Sequence, residues 1–115
     1  MIEELSFSGE GWKVLIESGE WKIGMLRKND RFSSFSELER HLLTDEAFVL
    51  LAGNATLYTE SESVEMKPLT LYNIPAGIWH HIVVSDEASV LVIENRNTSK
   101  ENTQKKYLNT QGGNG

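Results

Sequence analysis

The chain has 115 residues and a mass of 13.0 kDa, which is room for one domain and not for two. An apolar share of 39%, a charged share of 24% and no apolar run near the roughly 18 residues of a membrane span exclude a helical membrane protein and a disordered chain. The absence of cysteine excludes disulfides, thiolate metal sites and a cysteine nucleophile, and a net charge of −6 argues against nucleic acid as a partner. The opening MIEELSFSGEGW has neither the basic nor the apolar stretch of a secretory leader, so a cytoplasmic location is expected.

Taken in order, residues 14–16 and 21–26 flank Ser18-Gly19-Glu20 and predict a hairpin. Within SSFSELERHL, Ser34 or Ser36 can cap a short helix near 35–38. Residues 47–52, Gly53-Asn54 and 55–59 predict a second hairpin. Strands are expected at 63–66, around Leu71-Tyr72, at 78–84 and at 89–94, with breaks at Pro75-Ala76-Gly77 and Ser85-Asp86-Glu87-Ala88. Turn signals every 8–12 residues point to an all-β sandwich or barrel over 1–95. Residues 1–95 carry seven basic and sixteen acidic side chains, whereas 96–115 carry four and one. That last stretch reads as a polar C-terminal tail, pinned if anywhere by Tyr107 and Leu108. Residues 48–51, 82–84 and 90–93 are apolar on both strand faces, so their outer faces need cover. A second copy of the chain would supply it, and a homodimer is expected.

All three histidines fall in Glu39-Arg40-His41 and His80-His81. On a strand, residues 39 and 41 project from one face and Arg40 from the other. Likewise Ile78, His80 and Ile82 share a face opposite Trp79, His81 and Val83. If His41 and His80 face a common interior, two imidazoles meet one or two carboxylates from Glu39 and Glu46. Such a set suits a first-row divalent metal with positions left open for water or a ligand.

His41, four residues, Glu46, six residues, Gly53 resembles the second half of the first cupin motif, and Pro75-x-Gly77-x-x-His80 resembles the core of the second. The stretch between the motifs is short, as in small single-domain cupins. The resemblance implies a jelly-roll β-barrel with a metal inside one mouth, and by position it places His41, Glu46 and His80 at ligand sites. It departs from the family at Glu39, where the first motif has a histidine. It departs also at Phe35 and Leu69, where glycines are expected, and at Val84, where an asparagine is. With Glu39 bound, the set is two nitrogens and two carboxylates, which favours Mn²⁺ or Fe²⁺ over copper; without it, a facial triad of two histidines and a carboxylate remains. The cofactor expected is thus a divalent ion, Mn, Fe, Ni or Zn.

Each candidate has a plainer role beside the chemical one. Glu39 can be a ligand, a general base, or an ion-pair partner of Arg31 or Arg40. Tyr72 and Tyr58 can supply a hydroxyl or pack in the core, and Asp45 is a turn residue. His81 and Trp79 belong to the outer sheet face or a subunit contact, and Trp12 and Trp21 to the hairpin core. Phe48, Leu50, Ile78 and Ile82 are expected to line an apolar interior that takes a small molecule. The function expected is binding or transformation of a small metabolite at the metal, with isomerase- or dioxygenase-like chemistry. The alternatives are a non-catalytic binding or sensing protein and a metal-free structural homodimer.

Overall fold

Residues of alternating burial, punctuated by glycine and turn residues, fold into ten strands among the described residues. The computed structural model describes residues 1–108. The strands are β1 (Gly11–Ser18), β2 (Trp21–Arg27), β3 (Glu37–His41), β4 (Glu46–Ala52), β5 (Ala55–Thr59), β6 (Ser63–Glu65), β7 (Leu71–Ile74), β8 (His80–Val84), β9 (Ser89–Asn95) and β10 (Thr103–Tyr107). They form two five-stranded sheets, in the orders β1-β2-β9-β4-β7 and β10-β3-β8-β5-β6, and their strand pairs are antiparallel. Every connection except β1–β2 and β5–β6 passes from one sheet to the other, which gives an all-β jelly-roll barrel. No helix among the described residues is long and apolar enough to cross a membrane.

Between the sheets lie Phe48, Leu50, Val90 and Val92 from one side and Leu57, Ile82 and Val84 from the other. Burying each such side chain contributes about 1.5–3 kcal/mol relative to exposure. Gly24 keeps this layer thin on the β2 side. A Cβ there would come within 2.3 Å of the Trp12 ring and 2.7 Å of the Lys13 carbonyl oxygen.

Three expectations are corrected. No helix forms near 35–38: residues 37–41 are β3, and the one-turn 3-10 helix sits earlier, at Asp30–Phe32, where the Asn29 side chain accepts from the Phe32 amide. The weak helical pattern yields because β3 gains a five-residue ladder with β10. Nor do β4 and β5 form a hairpin across Gly53-Asn54, since they belong to different sheets. The chain instead turns a corner there. Gly53 adopts φ +75, and any Cβ on it would meet the Ala88 backbone at 2.6 Å. Asn54 and Ser85 lock the corner, with the Asn54 amide donating to Ser85 Oγ and the Ser85 amide donating to the Asn54 carbonyl, each at 2.9 Å.

The third correction concerns the segment after residue 95. Residues 103–107 are strand β10 at the edge of the second sheet, reached through a 3-10 turn at Lys100–Asn102 that Ser99 caps. Tyr107, expected to pin the tail, is 75% exposed. The Leu108 amide instead donates to the Ser36 carbonyl. The rest of the expected tail, 109–115, lies outside the described residues. One further backbone feature bears on the motif. Leu69, at the position where the cupin motif carries glycine, has the left-handed φ of 60 that glycine would adopt freely.

Candidate metal centre

The site is built at one end of the barrel, where the two sheets offer polar residues on their inner faces. β3 supplies Glu39 and His41, β4 opens with Glu46, β8 opens with His80, and β9 closes with Glu94 near its end. The β3–β8 pairing sets Glu39 directly opposite His80. On the other sheet Ala47 pairs with Ile93, so the next residues, Glu46 and Glu94, both turn inward on neighbouring strands. All four predicted residues therefore come together, and the His41 and His80 ring centroids are 5.3 Å apart.

Glu46 Oε1 is the hub. It lies 3.0 Å from His80 Nε2 and 3.1 Å from His41 Nε2, while Glu39 Oε2 is 3.6 Å from that same His41 nitrogen. Donor atoms around an ion with bonds of roughly 2.1 Å stand ~3.0 Å apart in an octahedral shell and ~3.4 Å apart in a tetrahedral one. The observed spacings match such a shell. Two triads of donor atoms within 4.8 Å of one another occur among the described residues: Glu39, His41 and His80, and His41, Glu46 and Glu94.

The hydrogen bonds behind the rings fix their chemistry. His80 Nδ1 is 3.0 Å from the Ile78 carbonyl oxygen, which can only accept, so Nδ1 carries the proton. In the neutral ring Nε2 then presents a lone pair to a carboxylate oxygen 3.0 Å away. Two electron-rich atoms face each other there, and a cation between them, a proton or a metal ion, relieves the repulsion. His41 is held from behind by Thr103 on β10, with Nδ1 and Oγ1 2.8 Å apart.

Electrostatics divide the carboxylates into two kinds. Burial opposes ionisation of Glu46, but hydrogen bonds and charge from His41 and His80 outweigh it and hold the carboxyl far below its ordinary range. Glu94 behaves oppositely: burial first, then the charge of and hydrogen bond to Glu46, push it up to about 8 against the pull of Lys22 and His41. Burial also opposes charge on His41, yet Glu46 and Glu39 raise its pKa overall. Glu39 is anchored by Arg31, with Nη2 2.5 Å from Oε1; Arg31 Nε also reaches Glu37 at 3.3 Å. Of the ion-pair partners weighed for Glu39, Arg31 is the one engaged.

Around this cluster opens a cavity of about 540 Å³. Trp12, Leu26, Phe32, Phe48, Ile82 and Val92 make its apolar wall. Glu94, Lys22 and Thr103 escaped the sequence reading; a carboxylate in phase with the inward Val90 and Val92 was the available signal for Glu94.

Several predicted residues lie elsewhere. Tyr72 is not in the cavity wall: it packs on the core from β7, where its hydroxyl accepts from the Lys67 amide at 2.9 Å. Ile78 is half exposed before β8 begins, and Leu50 is in the core deeper than the cavity. His81 is buried, not on an open sheet surface, and borders the cavity. The segment before β3 covers it, with Phe32 and Phe35 each 6.2 Å from its ring and the Ser34 carbonyl 3.1 Å from Nε2, and burial lowers its pKa. Tyr58 stacks on Phe35, and Arg40 and Lys106 each come within 4.5 Å of the centre of the Trp79 ring. Trp12 packs against the core, whereas Trp21 is exposed. Asp45 holds the turn ahead of β8 by accepting from Asn73 and the Ala76 amide, which lowers its pKa.

Among solved structures, a cupin-2 domain protein from Shewanella frigidimarina superposes with a TM-score of 0.66 at 21% identity, over 78% of this chain and 85% of that one. A cupin superfamily protein from Desulfitobacterium hafniense gives 0.61 at 18% identity, over 78% and 83%. The chain has the cupin fold. A third cupin-fold neighbour, Streptomyces Pac13 with uridine, matches at 0.67 and 13% identity over 94% of this chain and 93% of its own, and Pac13 is described as a nucleoside dehydratase. At these identities the likeness carries the fold of the cupin barrel and not its activity. No family model matches the sequence, and no curated protein does.

Proposed function

We propose that this chain is a metal-dependent cupin that binds or transforms a small molecule inside its barrel. His41, His80 and Glu46 hold a divalent cation, and Glu39 is its fourth ligand or a general base. The observation that carries this reading is the convergence of His41 Nε2 and His80 Nε2 on Glu46 Oε1, at 3.1 and 3.0 Å, the donor spacing of a divalent ion's shell. A bound ion of this donor set supplies Lewis acidity or, as iron, a site for dioxygen.

The chain's own residues set the conditions for that chemistry. Arg31 fixes the Glu39 carboxylate at the cavity wall, in place to take a proton from a ligand. Glu94 keeps a proton near neutral pH beside the ionised Glu46, so the site holds an acid and a base within one small cluster. Phe48, Ile82 and Trp12 exclude water from the apolar side. This division of labour suits isomerisation or dioxygenation of a small metabolite.

Protein purified without chelator is expected to carry close to one equivalent of metal per chain. His80→Ala is expected to abolish it while the far-ultraviolet circular dichroism persists. Wild-type protein that is metal-free and refuses Mn²⁺, Fe²⁺ and Zn²⁺ overturns the reading.

The active unit on this reading is a homodimer in the cytoplasm. Support comes from the outer face of the first sheet, where Met25, Leu91, Val49 and Leu71 stand in one row across four strands and Ile16, Ile23, Ile93 and Ala47 in the next. A charge in that face, Leu91→Asp, is expected to give a monomer in sedimentation; wild-type protein sedimenting as a monomer overturns it.

A further inference from the structure

Four of the eleven Lys and Arg residues line the cavity: Lys22, Arg31, Lys100 and Lys105. Two are already engaged. Arg31 holds Glu37 and Glu39, and Lys22 Nζ reaches Glu94 at 3.4 Å and donates to the Thr98 carbonyl at 3.0 Å. The cavity's three acidic side chains each have a partner, Glu39 in Arg31, Glu46 in the two imidazoles and the proton-bearing Glu94 in Lys22.

Lys100 and Lys105 are held more loosely. Lys105 Nζ approaches only Glu37, at 3.7 Å, and Lys100 has no ion pair among the described residues. A chain of net charge −6 thus presents two loosely engaged, solvent-reaching lysines at the wall of a large apolar cavity. Both lysines come from the segment around β10 that also supplies Thr103. An apolar ligand gains nothing from them, and a neutral one such as a nucleoside would leave them idle.

We propose that the natural occupant of the cavity is a small molecule with an apolar ring body and an oxyanion head. Lys100 and Lys105 hold the head, and the body lies against Trp12, Phe32 and Phe48. The inference rests on this cavity being the functional pocket proposed above, but not on a metal being present. Lysine ammonium groups are point charges without a fixed fork, so carboxylate and phosphate heads are both within their chemistry.

The test uses the full chain, stripped of metal by chelator, with 1-naphthylacetate and its isosteric neutral partner 1-naphthylacetamide as probes in calorimetry. The acid is expected to bind about tenfold tighter than the amide in about 0.05 M salt, and the difference is expected to close in about 0.5 M salt. Lys100→Ala/Lys105→Ala is expected to remove the difference, while Lys67→Ala, outside the cavity, leaves it. A parallel titration with 1-naphthyl phosphate assigns the head, tighter binding than the acid meaning phosphate and weaker binding meaning carboxylate. Equal affinity for acid and amide, a difference that survives in the double variant, or no binding of any probe overturns the proposal. Discrimination that persists in a chain which takes up no metal leaves this proposal standing while the metal reading falls.

Discussion

Thr103 Oγ1 sits 2.8 Å behind Nδ1 of His41, across the ladder that joins β10 to β3. β3 carries two of the four candidate ligands, yet it pairs with β8 at a single residue pair and with β10 at five. The ring of His41 is therefore oriented largely from the C-terminal strand. Partners of this kind fix the tautomer and aim of a ligating imidazole. Thr103→Val keeps the shape and removes the hydroxyl. Its expected effect is a loss of metal affinity of about tenfold to a hundredfold with little change in unfolding midpoint, restored by Thr103→Ser. Unchanged affinity in a competition titration would refute the role.

Leu69 offers a gain. Its left-handed φ of 60 costs a non-glycine residue ~1–2 kcal/mol, and its side chain is 98% exposed, so nothing is lost by removing it. Glycine also widens the unfolded ensemble, which offsets part of the relief. Leu69→Gly is expected to stabilise by about 0.5–1 kcal/mol in urea unfolding. A destabilised variant would contradict the strain argument.

Gly53 should behave in the opposite way. At φ +75, with the Ala88 backbone 2.6 Å from where a Cβ would stand, alanine meets strain and a clash with main-chain atoms that cannot swing away. Gly53→Ala is expected to cost about 2–4 kcal/mol, read from the midpoint of denaturant unfolding. A cost below half a unit on that scale would mean that the corner is pliable.

The pH dependence of metal-free stability follows from Glu94. The unfolded carboxyl loses its proton near the ordinary 4.5, whereas the folded one keeps it up to about 8. The folded chain binds the extra proton between those values, so stability falls as pH rises through them, by up to ~1.4 kcal/mol per pH unit. His41, raised from 6.5, adds to the fall as pH climbs through its folded value. Glu46 acts at the other extreme, where its contribution is lost as pH drops below its ordinary value. Glu94→Gln should flatten the curve between about pH 5 and about pH 8 in chelator. An unaltered slope would show that Glu94 ionises freely in the folded protein.

How much of this was legible in the sequence depends on how local the signal is. His41, Glu46, Gly53, Gly77 and His80 could be read because each sits at a fixed offset within a short motif that a corner or strand start demands. The period-two alternation turned His80 and Ile82 inward, as found, but it failed at Ile78, which precedes the strand and is exposed, and at His81, which is buried. Other features depend on pairing between distant segments. Nothing near residue 103 announces an edge strand, since TQKKY is polar and its partner β3 lies some sixty residues earlier. The same ladder overrides the helical look of SSFSELERHL. Gly53-Asn54 has a hairpin's composition, but composition does not say whether the next strand stays in the same sheet. Glu94 shares the difficulty, because its meaning comes from Glu46 on the adjoining strand.

β10 also orders events during synthesis. Synthesis runs from the N-terminus, so β3 through β9 are made before the strand that seats His41 and carries Lys105. On the reading proposed above the site would be complete only once that strand is paired, and a barrel stalled before residue 103 would leave the His41 ring on a bare sheet edge without its Thr103 partner.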